Sequence, residues 1–229
     1  MPGIPRELEP DMFDSVTVIG AGRAGSAIAA RLRERGVRVG DDGELQLLCV
    51  PDRAIAEVAR GIPAGPWVAH VSGATPLAAL DPHVLRFSAH PLQTLTRRRG
   101  PEQLDGAWAA VTGESPKALA HANELAETLG LRPFVLADDR RAPYHAGAAM
   151  ASNFLVTLHR GAARLLADAG APPEALVPLM ERTIANDFEL TGPIARGDTE
   201  TVQRHLEAIR GEEPELEPLY AALAEATRA

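Results

Sequence analysis

The fold of this chain is indicated most clearly by the stretch Val16-Thr-Val-Ile-Gly20-Ala-Gly22-Arg-Ala-Gly25-Ser-Ala-Ile-Ala-Ala. A β-branched run comes first, three glycines follow at the spacing Gly-x-Gly-x-x-Gly, and an alanine-rich run then continues as a helix would. Gly20 permits a tight turn, Gly22 lets the backbone approach a ligand, and Gly25 lets helix and strand pack closely. The stretch therefore predicts a strand, a turn and a helix whose first amide groups are free to hold a diphosphate.

Short β-type runs and helical patterns alternate along the first part of the chain. The β-type runs occupy residues 16–20, 45–51, 67–73, 84–91, 107–113 and 132–137. Helical patterns separate several of them, at residues 24–35, 53–60 and 116–129. Apolar strands that alternate with helices predict an α/β fold of the Rossmann type, with a mostly parallel sheet covered on both faces.

The pattern changes near Asp138, after which only helical periodicity is present. Helices are predicted at residues 142–169, 174–188, 199–209 and 215–226. Asp198 is placed to cap the third of these helices, with Thr201 at the N3 position. We therefore predict an α/β dinucleotide-binding domain over residues 1–140 and an all-α domain over residues 141–229. Residues 1–14 are polar and are predicted to be a loose leader.

Composition and charge exclude several classes of function. The formal net charge of −8 disfavours nucleic acid as a partner. The one basic cluster, Arg97–Arg99, is interpreted as a solvated loop, with a local phosphate or carboxylate contact as the alternative. The single Cys49 offers neither an internal disulfide nor a metal site, so we predict a buried structural thiol and no metal. The chain shows no signal-peptide pattern and no apolar run of ~20 residues, which predicts a cytoplasmic protein with no membrane partner.

The segment between residues 36 and 45 is shorter than a dinucleotide-binding fold usually has. Such folds end the second strand with an acid about 20 residues after the glycines, and Asp41 and Asp42 lie at that distance. Only residues 40–44 separate Val37–Val39 from the next apolar run, whereas a parallel crossover needs a dozen or more residues. Either 37–39 is a short edge segment or the adenosine half of the site is trimmed, and trimming is the preferred interpretation. Arg38 could meet a 2′-phosphate, although a solvated side chain is favoured.

Several further segments carry a resemblance to a known family. They are His70-Val-Ser72-Gly73-Ala, His90-Pro91-Leu-Gln93-Thr, Tyr144-His145 followed by Ser152-Asn153, and Thr191-Gly-Pro-Ile-Ala-Arg196-Gly-Asp198-Thr. Together with the glycine-rich stretch and Val50-Pro51-Asp52, they resemble a bacterial family in which a Rossmann-like domain precedes a C-terminal helical domain of unknown function. The shortened segment 36–45 departs from that family's pattern.

This family is similar to pyrroline-5-carboxylate reductases, deazaflavin-dependent NADP reductases and the 6-phosphogluconate dehydrogenase superfamily, and some members resemble an alternative ketopantoate reductase. The resemblance implies NADP or NAD as cofactor, a cleft between the domains, and a homodimer formed through a helical domain of the 6-phosphogluconate dehydrogenase type. The residues expected to contact the dinucleotide are Gly20, Gly22, Arg23, Ala24, Gly25, Pro51, Asp52 and Gly73. For Asp52, a helix N-cap is a compatible alternative.

Hydride transfer to a carbonyl or imine needs an oriented nicotinamide, a held substrate and a proton donor. Ser72 follows a strand and should face the nicotinamide, with a structural turn as the alternative. His90, at a strand end close to Gln93, could donate a proton or hold a carbonyl oxygen, and a buried imidazole is the alternative. His70 is predicted to be a packing residue.

The helical domain supplies the remaining candidates. His145 and Ser152 should share a helix face because seven residues are nearly two turns, and Asn153 lies beside them. Related reductases present a lysine and an asparagine from this helix. No lysine is near Asn153 here, so His145 is the first choice as proton donor, with a helix-terminal or interface residue as the alternative. Arg196 could hold a substrate carboxylate, close to Thr191.

The sequence thus predicts an NAD(P)H-dependent reductase for a small carboxylate-bearing oxo or imino compound, with ketopantoate as the most specific guess. A non-catalytic ligand-binding or regulatory protein with a degenerate dinucleotide site is the alternative. A third option is an enzyme that uses a mononucleotide or a deazaflavin partner.

Overall fold

A seven-stranded sheet forms the centre of the amino-terminal part of the chain. The computed structural model describes residues 13–228. The strands run in the spatial order β2-β1-β3-β4-β5-β6-β7. Their bounds are β1 Ser15–Ile19, β2 Arg38–Val39, β3 Leu45–Leu48, β4 Trp67–His70, β5 Arg86–Leu92, β6 Trp108–Gly113 and β7 Arg132–Val135. Every neighbouring pair is parallel except β5 and β6, so the prediction of a mostly parallel Rossmann-type sheet is confirmed.

Nine α-helices lie within the described residues. They are α1 Arg23–Glu34, α2 Asp52–Arg60, α3 Pro116–Thr128, α4 Arg141–Ala149, α5 Leu155–Asp168, α6 Leu176–Ala185, α7 Gly192–Ala195, α8 Thr199–Glu212 and α9 Glu217–Arg228. A π-helical turn, Met150–Phe154, lies between α4 and α5. None of these helices is long and apolar enough to cross a membrane.

The sheet buries an apolar cluster on each face because successive side chains of a strand point to opposite sides. On β3 and β4, Leu47 and Ala69 belong to the larger cluster, which includes residues of α1 and α3. Their neighbours Leu48 and Val68 belong to the smaller cluster, which includes residues of α2. Because residues on both faces of these strands are buried, the runs are apolar almost throughout, which is typical of strands covered on both faces.

The expected leader is partly wrong. Phe13 is buried, and its ring stacks on Phe87 and on His121 at centroid distances of 6.2 and 4.6 Å. The backbone amide of Asp14 donates to Glu44. The polar composition of residues 1–14 gave no indication that Phe13 packs into the core. The remainder of the expected leader, residues 1–12, lies outside the described residues.

The connection between β2 and β3 is short because β2 ends where β3 begins. Val39 and Leu45 both pair with Val16, on opposite sides of β1. The chain therefore has only to cross the backbone of β1 and does not return along the length of the sheet. The expectation that the two runs are not joined by the usual crossover is confirmed, and Arg38–Val39 is the short edge segment of the first alternative.

The crossing is built by hydrogen bonds from β1 side chains. The backbone amides of Gly43 and Glu44 donate to the hydroxyl oxygens of Thr17 and Ser15, over 2.9 and 3.2 Å. A Cβ atom on Gly43 would lie 2.3 Å from the backbone nitrogen of Thr17, so only glycine fits there. Ser15 and Thr17, which alternate along β1, thus provide acceptors for the backbone amides of the short connection, where no helix is present to pair them.

Helices α5 to α9 form a separate compact unit. The chain divides into units Met1–Ala149 and Met150–Ala229, whereas the sequence placed the boundary after residue 140. In the second unit, Asp198 caps α8 because its carboxylate accepts hydrogen bonds from the amide and hydroxyl of Thr201, at 3.0 and 2.8 Å. That prediction is confirmed.

Candidate functional site

The glycine-rich turn between β1 and α1 has a backbone that requires two of its glycines. Gly20 has φ +116°, and a Cβ atom there would lie 2.5 Å from the carbonyl oxygen of Cys49. A Cβ atom on Gly25 would lie 1.9 Å from the carbonyl oxygen of Gly20. The turn therefore folds back on the first helical turn and on the end of β3, as the sequence predicted for these positions.

Gly22 has a different environment, and it is the one that bears on a ligand. It occupies the N-cap position of α1, and a Cβ atom there would meet nothing within 4 Å. Arg23 begins the helix and is exposed, with Ala24 half-buried behind it. No side chain caps the helix, so its first amide groups have no side-chain cap partner. The residues present fit a bound diphosphate at this turn.

The end of β3 lies beside this turn. Pro51 is the N-cap of α2 and Asp52 is its first helical residue, both exposed. The alternative role of Asp52 as an N-cap is therefore wrong by one position, although its carboxylate still favours the positive end of the helix. Burial raises the pKa of the Cys49 thiol to about 12, which fits the structural role predicted for that residue.

A cluster of ring side chains lies at the ends of β4 and β5. The hydroxyl of Tyr144 is 2.7 Å from Nδ1 of His90, and the rings of His90 and His145 are 6.2 Å apart. A Cβ atom on Gly73 would lie 2.8 Å from His90 and 3.0 Å from His145. The absence of a side chain at Gly73 therefore lets the two imidazoles come together. We call Gly73, His90, Tyr144 and His145 the histidine–tyrosine cluster.

The environment of this cluster keeps His90 and Tyr144 uncharged at neutral pH. Burial, followed by the neighbouring His145 and Arg141, lowers the pKa of His90 to about 4, and the nearby Asp52 opposes that shift. Burial raises the pKa of Tyr144 to about 12. The pair is therefore a neutral imidazole and a neutral phenol, one of which can pass a proton while the other replaces it.

Arg141 fixes the start of α4 against the sheet. It is buried, its Nε lies 2.6 Å from Asp138, and its other nitrogens donate to the carbonyl oxygen of Ser72 and the hydroxyl of Ser88. The Asp138 carboxylate also accepts from the backbone amide of Leu77. Because Tyr144 lies one helical turn after the buried Arg141, these contacts also fix where the phenol lies.

Three other candidates of the first unit make local contacts. The Ser72 hydroxyl accepts from the amides of Ala74 and Thr75 at 3.2 and 3.0 Å, which is the structural turn of the alternative interpretation. Gln93 accepts from the amide of the next residue. His70 is fully buried, and burial lowers its pKa to about 3, in agreement with a packing role.

The remaining candidates belong to the second unit. Ser152 and Asn153 lie in the π-helical turn, so a uniform period of 3.6 residues, on which their shared face with His145 was predicted, does not hold there. Thr191 is the N-cap of α7 and Arg196 its C-cap, and both are exposed. A common site for these four residues and the histidine–tyrosine cluster stays a prediction.

Sequence reasoning missed Tyr144 and Arg141 as site residues. Tyr144 is adjacent to His145 in the quoted motif, and its type alone could have marked it as a proton donor. Arg141 carried one weak signal, the spacing of three residues from Asp138, which is common for ion pairs near a helix start. Within residues 13–228, no group of three His, Cys, Asp or Glu residues could hold a metal ion.

Solved structures share this fold. A protein of Bacteroides fragilis provisionally named an NADP oxidoreductase superimposes with a TM-score of 0.80 at 23% identity, over 93% of this chain and 97% of that one. An imine reductase of Streptomyces aurantiacus gives 0.67 at 16% identity, over 93% of each chain. A 1-pyrroline-5-carboxylate reductase of Streptococcus pyogenes gives 0.60 at 14% identity, over 95% and 98%.

A family match covers the second part of the chain. No curated protein matches this sequence. The domain of unknown function DUF2520 matches residues 107–227, which is 121 of the 229 residues and begins just before β6. The resemblance stated from the sequence, a Rossmann-like part followed by a helical domain of unknown function, is thereby confirmed, and the chain belongs to the DUF2520 family.

Proposed function

We propose that this protein is an NAD(P)H-dependent reductase for a small carboxylate-bearing oxo or imino compound. One observation carries the proposal. The glycine-rich turn follows the carboxyl end of β1, and Gly73 of the histidine–tyrosine cluster follows that of β4. Both strands are parallel to β3, which lies between them, and all of these residues belong to one compact unit. In open α/β sheets, that edge is where ligands bind.

The dinucleotide is assigned to the turn and the adjoining strand end. The open space at Gly22 and the first amides of α1 fit its diphosphate. Pro51 and Asp52, at the end of the neighbouring strand, would border the ribose or nicotinamide. The cofactor, NADP or NAD, supplies a hydride when bound. The solved structures of similar fold support this class of cofactor.

Tyr144 is proposed as the group that gives the substrate a proton. Its neutral phenol can donate to the oxygen or nitrogen on which charge develops. His90 can return a proton to the phenolate from Nδ1 while its other ring nitrogen takes up a proton from water, so that the imidazole stays neutral. His145, the first choice from the sequence, lies beside Gly73 and becomes the second candidate. Arg141 acts through its neighbours as a positioning residue.

The substrate contacts are proposed from the second unit. Arg196 would hold the carboxylate with paired hydrogen bonds, and Thr191, Ser152 and Asn153 would hold the remaining polar groups. Ketopantoate is the specific substrate suggested by the family resemblance, with the cytoplasm as the compartment.

A homodimer through the helical unit is part of the proposal. Several large apolar side chains are exposed on α5 and α6 of the single chain, namely Leu155, Val156, Leu158, Val177, Leu179 and Ile184. Burial of such surface drives association, which supports a second copy of this chain as the partner.

The proposal is tested by measuring the rate at which the protein oxidises NADPH or NADH when a candidate substrate is added. The candidates are 2-oxo acids, ketopantoate included, and cyclic imino acids. We expect turnover with at least one compound. We expect Tyr144→Phe, His145→Ala and Arg196→Ala each to lower it at least ~10-fold, which is about 1.4 kcal/mol. Thr183→Ala, on an exposed site whose hydroxyl bonds only its own helix, serves as the control. Wild-type rates in all three variants would contradict the assigned site.

The short β2–β3 connection favours a second candidate, a binding or regulatory protein that no longer catalyses. It leaves no acid at the usual place for the adenosine ribose. Binding of a dinucleotide without oxidation in the presence of any tested compound would favour this candidate over the enzyme.

A further inference from the structure

The loop between β5 and β6 carries three consecutive arginines and returns toward the glycine-rich turn. We call residues 94–100 the arginine loop. Nη2 of Arg97 donates to the carbonyl oxygen of Ala21, in the middle of the Gly20–Gly22 turn, over 3.4 Å. The favoured interpretation from the sequence, a solvated loop, does not account for a contact between elements more than 70 positions apart in the chain.

A buried glutamine determines the conformation of the arginine loop. The side chain of Gln103 is 7% exposed, and its carbonyl oxygen accepts from the backbone amide of Thr96 over 2.8 Å. Its amide nitrogen donates to the carbonyl oxygens of Thr96, Arg99 and Gly100, over 3.2, 3.1 and 2.9 Å. The loop backbone is therefore held in place, which lowers the entropy that a ligand contact would otherwise cost.

The same loop is tied to the helix that the glycine-rich turn opens. The buried guanidinium of Arg31, on α1, donates to the carbonyl oxygen of Pro101 and pairs with Asp105, each over 2.8 Å. Arg31 lies in the last turn of α1, so the residues that directly follow the arginine loop are held against the helix that the glycine-rich turn opens. Arg97 is presented at the turn by two buried side chains, Gln103 and Arg31, which packing alone would not require to be polar.

The chemistry of Arg97 suits a diphosphate. Its side chain is exposed, and one weak hydrogen bond to a carbonyl leaves most of the five guanidinium donors available. Phosphate oxygens accept from this planar group in pairs, and the contact is stronger than one to a neutral carbonyl. The open space at Gly22 lies one residue from the carbonyl that Arg97 now contacts.

We propose that Arg97 binds the diphosphate of the dinucleotide, together with the first amides of α1. This inference rests on the proposed function, since it requires a dinucleotide at the turn. The contact would compensate for the adenosine-side residues that the short β2–β3 connection does not provide. Because NADH, NADPH and ADP share the diphosphate, Arg97 should strengthen the binding of all three to a similar extent.

Calorimetric titration of the full chain with NADH, NADPH and ADP tests the proposal without any need for a substrate. We expect Arg97→Ala to raise Kd for each ligand roughly 10- to 100-fold and Arg97→Lys to raise it less. Arg60→Ala is the matched control, because Arg60 ends α2 at the opposite edge of the sheet and donates only to its own helix, at Ala56. It should leave each Kd within about 2-fold.

The outcomes separate the inference from the proposed function. Binding of wild-type strength by Arg97→Ala would overturn the inference and leave the proposed function standing. A loss confined to NADPH would also overturn it, because it would assign Arg97 to the 2′-phosphate. Failure of the wild-type protein to bind any of the three ligands would overturn the proposed function and the inference together.

Discussion

The glycine-rich turn and the β2–β3 connection adjoin the two ends of the same strand, β1, and differ in what they preserve. The turn has the three glycines, the tight backbone and the open helix end of a dinucleotide-binding fold. The connection contains no helix, and within residues 13–228 no strand lies beyond β2. One end of β1 therefore has a turn that fits a diphosphate, and the other end has a connection too short to hold a crossover helix.

The difference shows that the tight turn at one end of β1 does not depend on a crossover helix at the other end. β2 ends level with Val16, three residues before the end of β1 at Ile19, which is about 10 Å along the strand. Asp41 and Asp42 therefore follow a strand that stops well short of the phosphate-binding turn. Hydroxyl side chains on β1 accept hydrogen bonds from the backbone amides of the β2–β3 connection, so this short connection has a defined conformation.

The largest effect is expected where the turn is tightest. Gly25→Ala would place a Cβ atom 1.9 Å from the carbonyl oxygen of Gly20, so we expect the free energy of unfolding to fall by about 3 kcal/mol or more and dinucleotide binding to be lost. Gly22→Ala is the control, because its Cβ meets nothing. It should leave stability within about 1 kcal/mol and weaken binding ~10-fold. Urea denaturation and titration measure both, and equal stability of the two variants would contradict the geometry.

A substitution in the connection should destabilise the fold without affecting the ligand. Gly43→Ala places a Cβ atom 2.3 Å from the nitrogen of Thr17, so the free energy of unfolding should fall by about 2–3 kcal/mol. At temperatures where the variant is folded, its Kd for NADPH should match that of the wild type. Gly211→Ala, inside α8 with nothing nearby, should gain about 0.5–1 kcal/mol instead. A strong loss of NADPH affinity in Gly43→Ala would show that the two ends of β1 are coupled.

Acid should weaken the first unit through its buried histidines. The folded pKa of His70 is about 3, below the usual 6.5, so the unfolded chain binds the proton first. This contribution to stability is fully present above pH 6.5 and is lost as the pH falls toward 3. Between pH 7 and pH 5 the loss is about 2 kcal/mol. Urea denaturation at both pH values measures it, and His70→Asn should show a smaller difference between them than the wild type; an equal difference would exclude His70 as the cause.

The smallest effect is expected at the two acids after β2. Asp41→Asn and Asp42→Asn should each change the ratio of Kd values for NADH and NADPH by less than about 2-fold, because neither residue lies level with the turn. Titration of each variant with both ligands measures the ratio. A change of ~10-fold or more in this ratio would show that these acids contact the adenosine side of the dinucleotide, as their spacing from the glycines suggests.

Local signals made most of the fold predictable. The glycine spacing, the apolar runs and the cap at Asp198 each depend on residues close together in the chain, and the structure has all three. The helix boundaries were less exact at residues 186–188, because Asp187 and Phe188 adopt positive φ and end α6 early. Phe13 was missed because its partners, Phe87 and His121, are distant in sequence.

The site was predictable only in part, since its members come from separate elements. His90 and Gly73 were identified from strand ends, but the pairing of His90 with Tyr144 joins residues 54 positions apart. Arg97 was identified only as one of three arginines, because nothing near it in sequence indicates that Gln103 directs its loop to the glycine-rich turn. Contacts of this kind depend on the folded chain, and a single sequence does not specify them.

Thermal unfolding with NADH and NADPH added separately shows most directly whether a dinucleotide binds at the glycine-rich turn. At about 100 times Kd, a ligand that binds only the native protein adds about 2.7 kcal/mol, which corresponds to a rise in Tm of about 5–10 °C. We predict that rise for the wild type with at least one dinucleotide, and about half of it for Gly22→Ala at the same concentration. No rise with either dinucleotide at millimolar concentration, or an undiminished rise in Gly22→Ala, would contradict the account.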